Sequence, residues 1–304
     1  MLREYEIIEG PFVGNVGQVV IGQHSLLGTK RAIKTLHSHV NKELIIHEAK
    51  RQSSLHSPNI VQIFDFFEEE SGPAIVMEYC PTGLDRYLRE RLQQTERMIP
   101  YEEARTLLQG ILEGLDAAHG AGIVHGDIKA DNIRIGEDEQ AKLSDFGAAR
   151  GLEDQAPVFR GSANWMAPEV ARGEGEVTAE SDLFSFGILA YLVLSGRHPF
   201  YYDDPSGLYS AQDNILSDTF RPVHLGRYRS DLPGKLADLV MALLSPGMPR
   251  AEAASALKVA LLAQPDMTEM APSATADSGE TTEPVDLRGI RTAYYDAKWR
   301  FFHE

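Results

Sequence analysis

The chain is poor in cysteine. Its 304 residues include one, Cys80, which excludes an internal disulfide framework and a cysteine-rich metal site and fits a reducing compartment. An excess of positive charge is also missing: 29 Lys and Arg stand against 45 Asp and Glu, a formal net charge of −16. That balance argues against non-specific nucleic-acid binding, which needs clustered cations on phosphates. It fits plain solubility, or a partner with basic patches. Long apolar runs are absent too. The stretch from Leu183 to Leu194 is interrupted by Ser185 and Gly187. It is too short to span a bilayer and reads as a buried core helix. The first residues, MLREYEIIEG, carry no charged segment followed by an apolar run, so no signal peptide is expected.

What remains is an ordinary globular composition, 43% apolar and 24% charged, with no internal repeat. The length suits one large domain or two lobes around a cleft. Residues 5 to 35 alternate apolar and polar around glycines and predict a twisted antiparallel hairpin. Residues 41 to 55 have helical spacing, ended by His56-Ser57-Pro58-Asn59. Ile60 to Phe67 and Ala74 to Tyr79 predict another strand pair. From Leu84 the pattern is mostly helical, with an amphipathic stretch from Tyr101 to Ala118 and later helices near Ala179, at Leu232 to Leu244 and at Arg250 to Leu262. Brief strands are expected at Ile123-Val124, Ile133 to Ile135 and Ala141 to Leu143. Residues 264 to 283 are rich in Pro, Ser, Thr, Asp and Glu and predict a disordered linker. The final segment, 284 to 304, is aromatic again, with Tyr294, Tyr295, Trp299, Phe301 and Phe302.

Chemistry first shows in Phe12-Val13-Gly14-Asn15-Val16-Gly17-Gln18-Val19. Glycines let a backbone approach phosphates closely, although a tight hairpin turn explains them as well. Lys34, fifteen residues past Val19 in Ala32-Ile33-Lys34, stands at a strand end where it can neutralise phosphates. Glu48, on the following helix, can pair with it. Each alone is more often a surface charge. The block His125-Gly126-Asp127-Ile128-Lys129-Ala130-Asp131-Asn132, followed thirteen residues after Asn132 by Asp145-Phe146-Gly147, is more specific. Phosphoryl transfer needs one carboxylate at the attacking hydroxyl, a carboxylate and an amide for Mg²⁺, and cations to offset charge on the moving group. Asp127, Asp145, Asn132 and Lys129 supply that set in order.

From Tyr5 to Leu262 the sequence resembles the eukaryotic-type protein kinase family, of the Ser/Thr kind. The resemblance rests on the segments above together with Ser57-Pro58-Asn59-Ile60-Val61, Val76-Met77-Glu78-Tyr79-Cys80, Met166-Ala167-Pro168-Glu169, Ser181-Asp182, Gly187 and Arg250. It implies an α+β, bilobal protein kinase fold, with a small β-rich N-lobe holding one main helix (1–78) and a larger, mostly helical C-lobe (79–263). ATP and Mg²⁺ are the implied cofactors and a protein the implied substrate. Asp127 becomes the catalytic carboxylate, Lys129 a contact to the γ-phosphate, and Lys34 a contact to the α- and β-phosphates paired with Glu48. Asn132 and Asp145 become the Mg²⁺ ligands. Gly14, Gly17, Val19, Ala32, Met77 and the backbone of Glu78 and Cys80 surround the nucleotide. Glu169 pairs with Arg250, and Asp182 braces the catalytic loop.

Three departures from the family pattern stand out. Phe12 replaces the first glycine of the loop, Ala130 replaces a frequent Pro, and Gly126 replaces an Arg that normally receives an activation-loop phosphate. The segment from Ala148 to Arg160 holds no Ser, Thr or Tyr. The two absences agree and imply a kinase that does not depend on phosphorylation in that loop. A pseudokinase or scaffold is the alternative reading. A cytoplasmic location, no nucleic-acid partner and no membrane span complete the expectations, with an aromatic tail that packs back on the kinase as a short helix or, as the alternative, docks a regulatory partner.

Overall fold

The structure, a computed structural model, describes residues 4–14, 17–36, 42–69, 72–95, 98–146, 150–151, 162–201, 210–245 and 248–263. The expected linker 264–283, the aromatic tail 284–304, Gly147 and most of 148–160 lie outside the described residues. Two compact units emerge, Met1–Tyr87 with Gly110–Arg160, and Leu88–Gln109 with the chain from Gly161 on. Among the described residues no helix is long and apolar enough to cross a membrane.

The first unit is built on a five-stranded antiparallel sheet in the order β1-β2-β3-β5-β4. Its strands are β1 (Tyr5–Val13), β2 (Gly17–His24), β3 (Lys30–Leu36), β4 (Ile63–Glu69) and β5 (Gly72–Glu78), with helix α1 (Lys42–Ser54) between β3 and β4. Three strands therefore stand where the sequence predicts a single hairpin. The missed turn, Ser25-Leu26-Leu27-Gly28, reads as apolar. It is closed by the His24 imidazole, whose Nδ1 accepts from the amides of Leu26 (3.2 Å) and Leu27 (3.3 Å).

Residues directly opposite in an antiparallel sheet share a face. Val19 faces Lys34, and Lys34 faces Ile75; Ile21 faces Ala32, and Ala32 faces Met77. One face thus carries Val19, Ala32, Lys34 and Met77. On it Leu36 and Ile75 pack with Ala49 of α1. The other face is sealed by Val20, Ile33, Phe67, Ala74 and Val76. Each buried Val, Ile, Leu or Phe among them contributes about 1.5–3 kcal/mol.

The unit continues through β6 (Thr82–Gly83), β7 (Ile123–Val124), β8 (Ile133–Ile135), β9 (Ala141–Leu143) and β10 (Arg150–Gly151). β6, β8 and β9 form one small sheet, and β7 pairs with β10. Leu143 donates its amide to the Asn59 carbonyl (2.8 Å) and accepts from the Val61 amide (2.9 Å). The Asn59 side chain donates to the Ala141 carbonyl at 3.0 Å. β9 is therefore pinned to the segment that leads into β4.

Helices α2 (Leu84–Thr95) and α3 (Tyr101–Gly120) follow the large sheet in the chain. The rest of the second unit holds α4 (Pro168–Ala171), α5 (Ala179–Ser195), α6 (Ala211–Leu216), α7 (Gly234–Leu243) and α8 (Arg250–Leu262). α5 opens on a capping box: Thr178 Oγ1 accepts from the Ser181 amide, and Ser181 Oγ accepts from the Thr178 amide. It is then buried on every side from Ser181 to Ser195, which explains a continuous apolar run. Charges that enter this core are matched. Arg229 makes a two-pronged pair with Asp231 (2.7 and 2.8 Å) and donates to the carbonyls of Ile99 and Leu194. Arg250 pairs with Glu169, as expected from the sequence. Pro249 cannot cap α8 with its side chain, so Glu180 does so from a distance, accepting from the amides of Arg250 (3.0 Å) and Ala251 (3.1 Å).

His198 is the most constrained imidazole of this unit. Its Nδ1 accepts from the Phe200 amide (3.2 Å) and its Nε2 meets the Asn164 carbonyl (3.0 Å), with Trp165 and Tyr201 edge-on at 5.3 Å each. One nitrogen must be bare, so burial holds its pKa down at about 4, against an ordinary 6.5. The folded state resists the proton that the unfolded chain takes up. Stability is then present above pH 6.5 and is lost as pH falls toward 4. His198→Gln keeps a donor and an acceptor but does not titrate. Urea unfolding of the parent should lose about 2 kcal/mol more than the variant between pH 7 and pH 5. Parallel losses would exclude this origin of acid sensitivity.

Candidate active site

Every residue proposed from the sequence for nucleotide or catalysis lies in the first unit. Lys34 lies inside β3 rather than at the strand end expected from the sequence, with Thr35 and Leu36 buried beyond it, and its Nζ sits 3.0 Å from Asp145 Oδ1. Burial disfavours the ammonium, but Asp145 and then Glu48 outweigh it, and the Lys34 pKa is raised. Burial likewise opposes the Asp145 carboxylate, while Lys34 prevails and holds it below the ordinary aspartate value. Both groups stay charged across the neutral range. Asp145 has φ +65°, in the left-handed region, where a short polar side chain is among the few non-glycine residues tolerated.

The segment 125–132 converges on Asp127. Its Oδ2 accepts from Lys129 Nζ (2.6 Å) and from the Asn132 amide (2.9 Å), and the same Asn132 nitrogen also reaches the Asp127 carbonyl (2.8 Å). The Asn132 amide is thereby oriented with its nitrogen toward Asp127, and its oxygen is the atom Asp127 does not engage. The Asn132 carbonyl accepts from both the amide and the hydroxyl of Ser144, each at 2.9 Å. His125, fully buried, ties the two stretches together. Its Nδ1 accepts from the Asp127 amide (3.3 Å), its Nε2 meets the Ser144 carbonyl (3.1 Å), and its ring lies 4.6 Å from that of Phe146. Sequence reasoning assigned no such role to His125 or Ser144. The signal was spacing alone, since a histidine before the catalytic stretch and a serine before Asp145 carry no charge pattern.

The remaining residues are placed as follows. Gly14 donates to the Gly17 carbonyl at 2.8 Å, closing the turn of the glycine loop. Phe12, which stands where a glycine was expected, is half exposed on β1. Glu9 faces Ile21 and Phe12 faces Val19, with two residues between them on β1 against one on β2, so an extra residue bulges from β1 beside Gly10. Gly10, two residues before the expected position, sits at that bulge, which spacing alone does not reveal. Glu78 ends β5, and Cys80 follows it half-buried. Burial, then the Glu78 carboxylate, pushes the Cys80 thiol up to about 12, so it is a poor nucleophile.

Asp145 and Asn132 offer hard oxygen donors of the kind that suit Mg²⁺. Among the described residues no group of three or more His, Cys, Asp and Glu gathers to hold a metal. An ion at these two residues would need further oxygens from a phosphate-bearing substrate and water, which is how Mg²⁺ is commonly held.

A family model described as protein kinase domain matches residues 13–256. A probable serine/threonine-protein kinase of Streptomyces coelicolor is 36% identical over 66% of this chain and 31% of its own length. The serine/threonine-protein kinase pkn2 of Myxococcus xanthus is 39% identical over 62% of this chain and 24% of its own. The serine/threonine-protein kinase PknB of Mycolicibacterium smegmatis is 28% identical over 95% of this chain and 48% of its own. The chain therefore spans less than half the length of these relatives.

Gly126 has φ +77°. An L-residue there costs about 1–2 kcal/mol, so glycine has a backbone reason at this position, independent of any phosphate. Gly126→Ala should lower unfolding free energy by about that amount, and Gly126→Asn by less, because Asn tolerates the left-handed region. Chemical denaturation of the three proteins decides this; equal stability of all three would refute it.

Proposed function

The chain belongs to the protein kinase domain family, and from that premise we propose that it is a Ser/Thr protein kinase transferring the γ-phosphoryl group of ATP to a protein substrate. The observation that carries this reading is the joint geometry of two networks, Lys34 on Asp145 and Lys129 with Asn132 on Asp127. Asp127 is held by two donors in one orientation, as a group that must align a hydroxyl requires. Lys34 and Lys129 bring cations to where phosphate oxygens would gather. Asp145 and then Glu48 favour the charged form of Lys34. Val19, Ala32 and Met77, sharing that face, form an apolar bed for a purine, with the backbone of Glu78 and Cys80 at its edge. When bound, Mg²⁺ would supply charge neutralisation on the phosphates, held by Asp145 and Asn132.

Residues 1–78 are the proposed N-lobe and 79–263 the C-lobe, with 284–304 an aromatic segment that packs on the kinase or docks a regulatory partner. The proposed location is inside the cell, where ATP is abundant. The loop without hydroxyls and Gly126 support activity that is independent of loop phosphorylation. The scaffold alternative is weaker, because Lys34, Glu48, Asp127, Asn132 and Asp145 are all retained and scaffolds of this fold tend to lose at least one.

Incubation with labelled ATP and Mg²⁺ tests the reading. Asp145→Ala should lose at least ~100-fold of transfer to a protein acceptor. Equal labelling by parent and variant would defeat it. Phosphopeptide mapping of the active parent should find no modified residue in 148–160, and a required one there would refute loop independence.

A further inference from the structure

One ammonium in the first unit has no place in the reading above. Lys142 lies in the middle of β9, three residues before Asp145, and its side chain is 6% exposed. A strand lysine is ordinarily a solvated charge, and a buried one is rare unless paired. This one is fully engaged. Its Nζ donates to the Pro58 carbonyl (2.8 Å), lies 3.0 Å from Glu78 Oε1, and reaches Asp138 Oδ2 at 3.6 Å. The fold makes room for it. A Cβ on Gly136 would lie 2.7 Å from Lys142 Cε and 2.4 Å from an Asp138 oxygen.

Glu78 is the partner that gives the contact consequence. It ends β5, where its backbone meets the proposed purine edge. Its amide donates to the Gln62 carbonyl (2.8 Å), and its Oε2 accepts from the Gln62 amide (3.3 Å). Gln62 in turn sits one residue past Val61, which is bonded to Leu143 of β9. The result is a closed circuit. Glu78 is tied to Lys142 by charge and to Gln62 by hydrogen bonds, the 58–62 segment is tied to β9 by backbone bonds, and β9 runs directly into Ser144 and Asp145. Without the Lys142 ammonium, the Glu78 carboxylate would lose the cation of that circuit and would turn toward water. Its backbone, and that of Cys80 beyond it, would move with it.

We propose that Lys142 is a positioning residue for nucleotide binding, fixing through Glu78 the chain that meets the purine and linking it to the strand that delivers Asp145. The proposal rests on the kinase reading for the identity of the nucleotide, but its structural half does not. Lys142 touches neither the phosphates nor Asp127, so its loss should act on affinity before it acts on transfer.

The test uses the full chain with Lys142→Met, Lys142→Arg, Glu78→Gln and the double variant Lys142→Met/Glu78→Gln. For Lys142→Met, KM for ATP should rise about tenfold, while kcat at saturating ATP falls less than threefold. Lys142→Arg should recover most of the affinity, because it restores the cation. The double variant should bind no worse than Lys142→Met, since both changes break one contact. If Lys142→Met does not fold, Glu78→Gln removes the same ion pair with the shape kept and should show the same KM change. Amide hydrogen exchange of the nucleotide-free proteins supplies a readout that needs no catalysis. Exchange at Glu78 and Leu143 should quicken in Lys142→Met, with the α3 core from Ile111 to Leu115 unchanged. An unchanged KM, an equal fall in kcat and kcat/KM, additive losses in the double variant, or uniformly faster exchange would each overturn the proposal. A parent that binds no ATP but shows the localised exchange change would sink the kinase reading and leave the Lys142 link standing.

Discussion

The pair of Lys34 with Asp145 is the interaction on which the first unit turns. The two residues are 111 positions apart and meet at 3.0 Å. Lys34 can be there only because β3 lies between β2 and β5, with its register set so that Lys34, Val19 and Ile75 share a row. Asp145 can be there only because β9 is bonded to residues 59–61 and because its own backbone accepts a left-handed turn. Burial opposes both charges, and each is held charged by the other. The Lys34 side chain is largely buried while that of Asp145 is about half exposed, so the pair is weak support for stability and a strong determinant of geometry.

The same logic organises the polar groups around it. Asp127, Asn132, Ser144 and His125 satisfy one another through side chain and backbone, so the orientation of each depends on the rest. Such networks are rigid when every member is satisfied. Lys142 extends the principle from the Asp145 end to the Glu78 end of the site. In the second unit the matched charges do a different task. Arg229 and Arg250 fix loops and a helix start against a core that α5 fills on all sides.

Much of this was legible in the sequence, and for identifiable reasons. Period and punctuation gave α1, α3, α5, α8 and the brief strands at 123–124, 133–135 and 141–143, because amphipathic spacing and Gly or Pro breaks are local properties. The chemical set was legible because its members are rare types at fixed spacing. The β2–β3 turn was not, because a histidine side chain closes it in place of an Asn-Gly or Gly-Gly pair. The bulge beside Gly10 was not, because it is a property of pairing between two strands.

By itself the sequence determined the family, the order of elements and the identities of Lys34, Asp127, Asn132 and Asp145, since these follow from residue type and interval along one chain. Only the tertiary structure decided that Lys34 rests on Asp145, that Asn132 and Lys129 share one oxygen of Asp127, that Gly126 answers a backbone need, and that Lys142 is buried against Glu78. The physical reason is common to all four. Hydrogen-bond partners, burial and left-handed backbone arise from what other segments bring within about 3 Å, and no interval along the chain encodes that distance.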